Sequence, residues 1–380
     1  MDLEFLRPLY DERAEDERAE EQAPGYVSVY LDTTPAAESA GTELALRWRA
    51  AREKLAADGA GEATLDAVGD ALTSRDCAGY GQAVFAADGR VRMSAALPSP
   101  PRTEISRYAP LPHVMPLLAQ LPPRAAHVRV AATRNGAEIV GVPADDGTGG
   151  IRVGAGDQRW TAGDQHWPVH KVSAGGSAEK RLQRRAEESW MVNAKEAAAA
   201  VAVAADRVGA EFAVVGGDVR ERVTLLGLLP PRLREDTVIV DREVPADDAA
   251  FEQAAAAEAA RRAETASRAL LDEFRVRMET RDLAVRRAAE GLPGILAALR
   301  DGLVQDVLVA DGSWSDTATG EAAGAGEAGG SVKEKILDRP DAMLARSAAL
   351  TGAGLYFVPP DADPLADGVG ALLRAPLAAV

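Results

Sequence analysis

Lys180, Arg181, Arg184 and Arg185 form two i,i+4 pairs directly after the small-residue run Ser173-Ala174-Gly175-Gly176. Such pairs stack on adjacent faces of one helical turn. Ser177 suits the helix start, because its hydroxyl can accept from an N–H one turn in. Cations are disfavoured at a helix N-terminus, where the macrodipole is already positive. Their clustering there points to an anionic partner. Gly175 and Gly176 admit backbone angles and close approaches that a side chain forbids. Upstream, the extended run 169–172 carries His170 and Lys171. The chemistry this suits is contact with the phosphate backbone of RNA. The candidate set is His170, Lys171, Gly175, Gly176, Ser177, Lys180, Arg181, Arg184 and Arg185. The plain alternative is a Gly-Gly connection followed by a solvated helix face. His166 and His170 flank Trp167; they read as RNA contacts or as ordinary strand positions.

The stretch resembles the loop and helix of the central domain of archaeal and eukaryotic class-1 release factors. Their pattern is Gly-Gly-Gln, then Ser-Ala-Gln-Arg-Phe and further arginines. Without gaps, Gly175 and Gly176 fall on the two glycines, Arg181 on the arginine, Leu182 on the phenylalanine and Ser177 on the glutamine. In the family that glutamine works at the peptidyl-tRNA ester. A serine hydroxyl is too short to replace an amide that both donates and accepts, so the resemblance implies ribosome binding without efficient peptide release. The nearest branch is bacterial, with actinobacterial members and the Balon-like members of the Pelota group, which are ribosome hibernation factors. The resemblance extends over most of the chain from about residue 25.

The chain has 380 residues, enough for two or three domains. Hydrophobic residues at 47% and charged residues at 27% are an ordinary globular balance. A net charge of -16 argues against a general nucleic-acid coat but leaves room for a local contact. Cys77 stands alone, so no internal disulfide is possible, which fits a reducing cytoplasm. The acidic N-terminus has no apolar core and reads as no signal peptide. No apolar run reaches membrane-spanning length.

The elements that must position the candidate set follow from periodicity. Strands are expected at 26–31, 81–86 and 91–97, with helices at 42–55 and 63–72. A proline-rich run closes a first domain, 1–122. Two apolar strands within 127–142 flank Asn135-Gly136, a pair suited to a tight hairpin turn. A Gly/Asp-rich loop, 144–158, leads to the candidate stretch. A helix at 177–208, a strand at 212–215, a helix at 221–229 and a strand at 237–240 complete a central domain, 123–246. The last domain, 247–380, opens on an alanine-rich helix, 249–281. One or two further helices are expected within 283–301, interrupted by Gly291 and Pro293, then a strand at 306–310. A low-complexity loop, 312–332, is followed by a helix at 342–350, a strand at 354–358 and a helix at 369–374. The fold class is α/β. By resemblance it is a three-domain, release-factor-like architecture with an RNase H-like central domain and an α/β C-terminal domain.

Four histidines, one cysteine and no HExxH make a zinc site unsupported, and no P-loop occurs. No metal, cofactor or catalytic residue is assigned. Gly216-Gly217 after a strand reads as a nucleotide loop or, with less to explain, a strand-to-helix turn. The resemblance implies the ribosome as partner: its rRNA, with the first domain in the decoding region and the central loop toward the peptidyl transferase centre. Elongation factor Tu is a candidate delivery partner. The function implied is a tRNA-mimicking hibernation or stress factor occupying the A site. The rivals are a peptidyl-tRNA hydrolase or nuclease in ribosome rescue, and a protein-binding stress scaffold.

Overall fold

The structure, a computed structural model, describes residues 1, 3–10, 25–34, 40–74, 80–133, 136–144, 158–162, 177–282, 284–310, 339–359 and 365–376. At 40, 158–162 and 177–190 the backbone alone is described. The acidic run 11–23, the stretch 145–157 and the low-complexity run 312–332 lie outside the described residues. Two compact units result: Met1–Leu121 with Glu264–Val380, and the residues from Pro122 to Ala263.

The N-terminal part of the first unit holds α1 (Arg7–Tyr10), β1 (Tyr26–Asp32), α2 (Ala40–Ala57), α3 (Glu62–Thr73), β2 (Gly81–Ala87), β3 (Arg90–Leu97), β4 (Ile105–Ala109) and α4 (Met115–Gln120). Its antiparallel sheet has the order β3-β2-β1-β4. β1 is buried on both faces. Val27, Val29 and Leu31 pack with Leu55, Leu65 and Val68 of α2 and α3. Tyr30 points the other way and meets Phe85 edge-on at 5.8 Å. Its hydroxyl donates to His113 O at 2.6 Å and accepts from the Leu117 N–H.

The second unit holds β5 (His127–Thr133), β6 (Gly136–Val142), β7 (Gln158–Ala162), α5 (Ser177–Val208), β8 (Phe212–Gly217), α6 (Val219–Leu228), α7 (Pro231–Glu235), β9 (Thr237–Val240) and the first half of α8 (Ala249–Met278). The strand order is β7-β6-β5-β8-β9. The first three strands are antiparallel, and β8 and β9 run parallel to β5. This is the order expected of an RNase H-like domain. Helices α5 and α6 cover one face through Ala197, Val201, Ala204 and Leu225. Helix α8 covers the other through Phe251, Ala255 and Ala259. Coverage on both faces explains why β8, FAVVGG, carries no polar side chain.

The first unit resumes with the end of α8, then β10 (Ala288–Glu290), α9 (Leu292–Arg300), β11 (Val304–Ala310), α10 (Pro340–Thr351), β12 (Gly354–Val358) and β13 (Val369–Leu373). Its sheet has the order β10-β13-β11-β12, with only β11 and β12 parallel. Two expectations are corrected. Within the run 369–374 the chain forms a strand, not a helix: the five residues Val369–Leu373 are all buried and pair with β10 and β11 on either side. Within 283–301, the strand β10 precedes a single helix, α9, because Gly291 at φ 82 breaks the chain between them.

The two parts of this unit share one core. Leu3, Leu6, Leu9, Phe85, Leu117 and Leu118 from the N-terminal part pack with Ile295, Leu299, Val307, Leu344, Ala348 and Leu355 from the C-terminal part. The Leu355 N–H also donates to Met1 O at 3.0 Å. Fully buried Asp341, at the start of α10, lies 3.5 Å from His113 Nδ1, and its other oxygen accepts from Arg339 Nε and the Ala342 N–H.

Burying one leucine is worth about 1.5–3 kcal/mol, so residues 1–121 expressed alone should not fold cooperatively. Co-expression with 264–380 should restore a sharp melting transition; a sharp transition for 1–121 alone would contradict the shared core. A second expectation concerns Asp306 on β11. Burial is the main cause that holds its carboxyl above the ordinary value. A carboxyl with a folded pKa above its unfolded one costs stability above the folded pKa, and the cost vanishes below the unfolded pKa. Asp306→Asn should therefore raise the melting temperature at pH 7, with the gap closing as pH falls into the ordinary carboxylate range.

Candidate nucleic-acid interface

Of the candidate set, His170, Lys171, Gly175 and Gly176 lie outside the described residues. Ser177 opens α5, and Lys180, Arg181, Arg184 and Arg185 follow on its first turns. The geometry that places them is the run of the helix against its sheet. β7, β5, β8 and β9 point the same way. α5 ends at Val208, and the Glu211 N–H then donates to Ala126 O at 2.7 Å, beside the starts of β5 and β8. So α5 runs against these strands, and its N-terminus lies toward their C-terminal ends. Six-residue β8 spans about 20 Å, which about 13 residues of helix match. The buried positions of α5 fit that span: Asn193, Ala194, Ala197, Ala198, Val201, Ala204 and Ala205. Met191 and Val192, just before them, are exposed. Residues 177–192 precede the first of these positions and take up about 24 Å of helix. β7 ends at Ala162 on the same edge of the sheet, where the chain departs toward residues 163–176.

That edge is built tightly. A Cβ on Gly217, which sits at φ 118, would lie 2.2 Å from Ala132 O; one on Gly216 would lie 2.6 Å from Phe251 Cζ. This glycine pair is packing, the plainer of its two readings. Asp218 then caps α6, its Oδ1 accepting from the Arg220 N–H at 2.9 Å. A carboxylate already serves that helix N-terminus, so no phosphate is needed there. Arg222 donates to Asp241 Oδ1 at 3.0 Å and ties α6 to the end of β9.

No group of three His, Cys, Asp or Glu side chains among the described residues is placed to hold a metal. His127 stacks on Phe212 at 5.2 Å and bonds Ala125 O through Nδ1, while Arg262 lies over the same ring at 5.1 Å. Asn193 escaped the sequence reading. It is 2% exposed, and its Oδ1 has no hydrogen-bond partner among the described residues. Its signal was one amide in an otherwise alanine and valine stripe.

Gly217→Ala should destabilise the second unit by about 2–3 kcal/mol, from left-handed strain and the backbone clash. Thermal unfolding of residues 122–263 measures it, and a loss below about 0.5 kcal/mol would contradict the close approach to Ala132.

Residues 126–279 match the model of bacterial archaeo-eukaryotic release factor family 2. An uncharacterised protein of Mycobacterium tuberculosis H37Rv is 27% identical over 361 residues, covering 92% of this chain and 93% of its own length. Among solved structures, the archaeal translation termination factor shares 15% identity over 93% of each chain, with a TM-score of 0.23. Archaeal Pelota, from a model of its ribosome-bound form, shares 16% identity over 67% of this chain and 62% of its own, with a TM-score of 0.40. From β5 to the end of α8, the chain is thus similar to the bacterial archaeo-eukaryotic release factors, in their family 2.

Proposed function

We propose that this chain is a ribosome-binding translation factor that occupies the A site, with the tip of α5 directed at the peptidyl transferase centre. The observation that carries the reading is the direction of α5. Its first turns, which carry four cations directly after Gly175-Gly176, lie toward the C-terminal ends of the strands, in a stretch similar to the release-factor family. Ser177 stands where the family pattern has its glutamine. The proposed role is therefore binding without release, as in hibernation or stress, in the cytoplasm and with elongation factor Tu as a delivery partner. No described helix is long and apolar enough to cross a membrane.

Co-sedimentation with 70S ribosomes tests the binding. Phosphate contacts release counterions, so binding should weaken steeply with salt. Charge reversal at Arg181 and Arg184 should abolish most of it, and ribosome binding that survives this double change refutes the reading. Release is tested with ribosomes carrying labelled peptidyl-tRNA. Loss of one positioned polar group costs about 10²–10³ in rate, so the native chain should release little peptide while still bound. Rapid release by the native chain, abolished by Gly176→Ala, would establish a hydrolase instead.

A further inference from the structure

The end of α8 and the turn after it hold five arginines, Arg275, Arg277, Arg281, Arg286 and Arg287, against Asp272, Glu273, Glu279 and Asp282. In a chain of net charge -16 this is a second local reversal of sign, far in sequence from the tip of α5. The helix dipole favours cations in the last turn, and it accounts for Arg275 and Arg277. Both are also neutralised, by Asp272 at 3.3 Å and Glu273 at 2.6 Å. It does not account for the three that follow the helix. Among the described residues Arg281 and Arg287 make no ion pair and are exposed.

The turn that carries them is braced. Arg286 Nε donates to Thr280 O at 2.7 Å. Asp282 is spent on the backbone, its Oδ1 accepting from the Ala284 N–H at 2.9 Å and its carbonyl from the Arg286 N–H. Arg277 reaches Arg287 O and Leu373 O, and the Leu373 N–H donates back to Arg287 O. A fixed backbone holds the stems of Arg281 and Arg287 in place, and the planar fork of a guanidinium group matches phosphate oxygens. Val285 between them is 57% exposed.

We propose that Arg281, Arg286 and Arg287 form a second RNA-binding surface, on the first unit, that takes the phosphate backbone of a structured RNA. The identity of that RNA as ribosomal rests on the function proposed above; the phosphate chemistry does not.

The test uses the full chain, native and Arg281→Glu/Arg287→Glu, on protein-free ribosomal RNA and on 70S ribosomes across a salt series. Arg49→Glu/Arg90→Glu makes the same change in net charge at exposed positions elsewhere. Each lost phosphate contact lowers the slope of log affinity against log salt by about one. The Arg281/Arg287 variant should lose about two on both targets, with its melting temperature unchanged, and the control variant should keep the native slope. An unchanged slope on ribosomal RNA overturns the proposal. So does weakened ribosome binding with unchanged RNA binding, which would assign the surface to a ribosomal protein, and so does a native chain that binds no RNA. Native binding to RNA but not to ribosomes, with the slope loss intact, upholds the surface and overturns the proposed function.

Discussion

A 32-residue helix is about 48 Å long, and strands of six or seven residues cover less than half of that. Something must hold the excess in place, and here it is the apolar stripe at the C-terminal end of α5. Small side chains at Ala197, Ala198, Ala204 and Ala205 let the helix lie close on the sheet. The tight turn from Val208 through Ala210 to β8 fixes its direction. The rest of the helix is thereby directed toward the strand C-termini. The cations at 180–185 lie on that part, so packing at one end of the helix sets the direction of the other.

The same edge shows why a glycine pair by itself says little. Gly216 and Gly217 follow a strand and precede a helix, as a phosphate loop would. Their reason is steric: Phe251 and the Ala132 carbonyl occupy the space a side chain would need. Asp218 then supplies the anion that the α6 terminus favours. Three local facts thus account for the motif, and none involves a ligand.

The sequence announced most of the fold because most of its elements are periodic or bounded by turn residues. The helix 177–208 was legible to the residue, from Ser177 to the Gly209 that ends it. Elements set by distant pairing were not legible. VGALL at 369–373 is a short apolar run that fits helix or strand equally, and only its two neighbours in the sheet decide. β4 lies hidden in a proline-rich run and exists because β1 offers it an edge. The shared core of the first unit is equally invisible, since no local pattern says that Leu6 will meet Leu344. At the candidate interface the clustered cations were visible as residue types. Asn193 and the braced turn at 280–287 were not, because their meaning comes from burial and from backbone carbonyls far away in sequence.

An acidic chain that meets a polyanion must keep its own carboxylates out of the encounter. Screening sets the distance: the Debye length is about 10 Å at 0.1 M salt. Along α5, Arg185 and Lys180 stand about 12 and 20 Å from Asn193, where the described burial begins, between one and two such lengths. Over residues 177–190 four cations share the helix with Glu179, Glu187 and Glu188. Where such distance is lacking, neutralisation must be local, and α8 shows it. Arg261, Arg262, Arg268, Arg275 and Arg277 are each answered by a carboxylate on the same helix. Pairs of this kind contribute little stability when exposed, and they cancel the field that a phosphate would feel. Net charge therefore does not decide whether this chain can meet RNA. What decides it is which guanidinium and ammonium groups stand beyond the reach of their own acids.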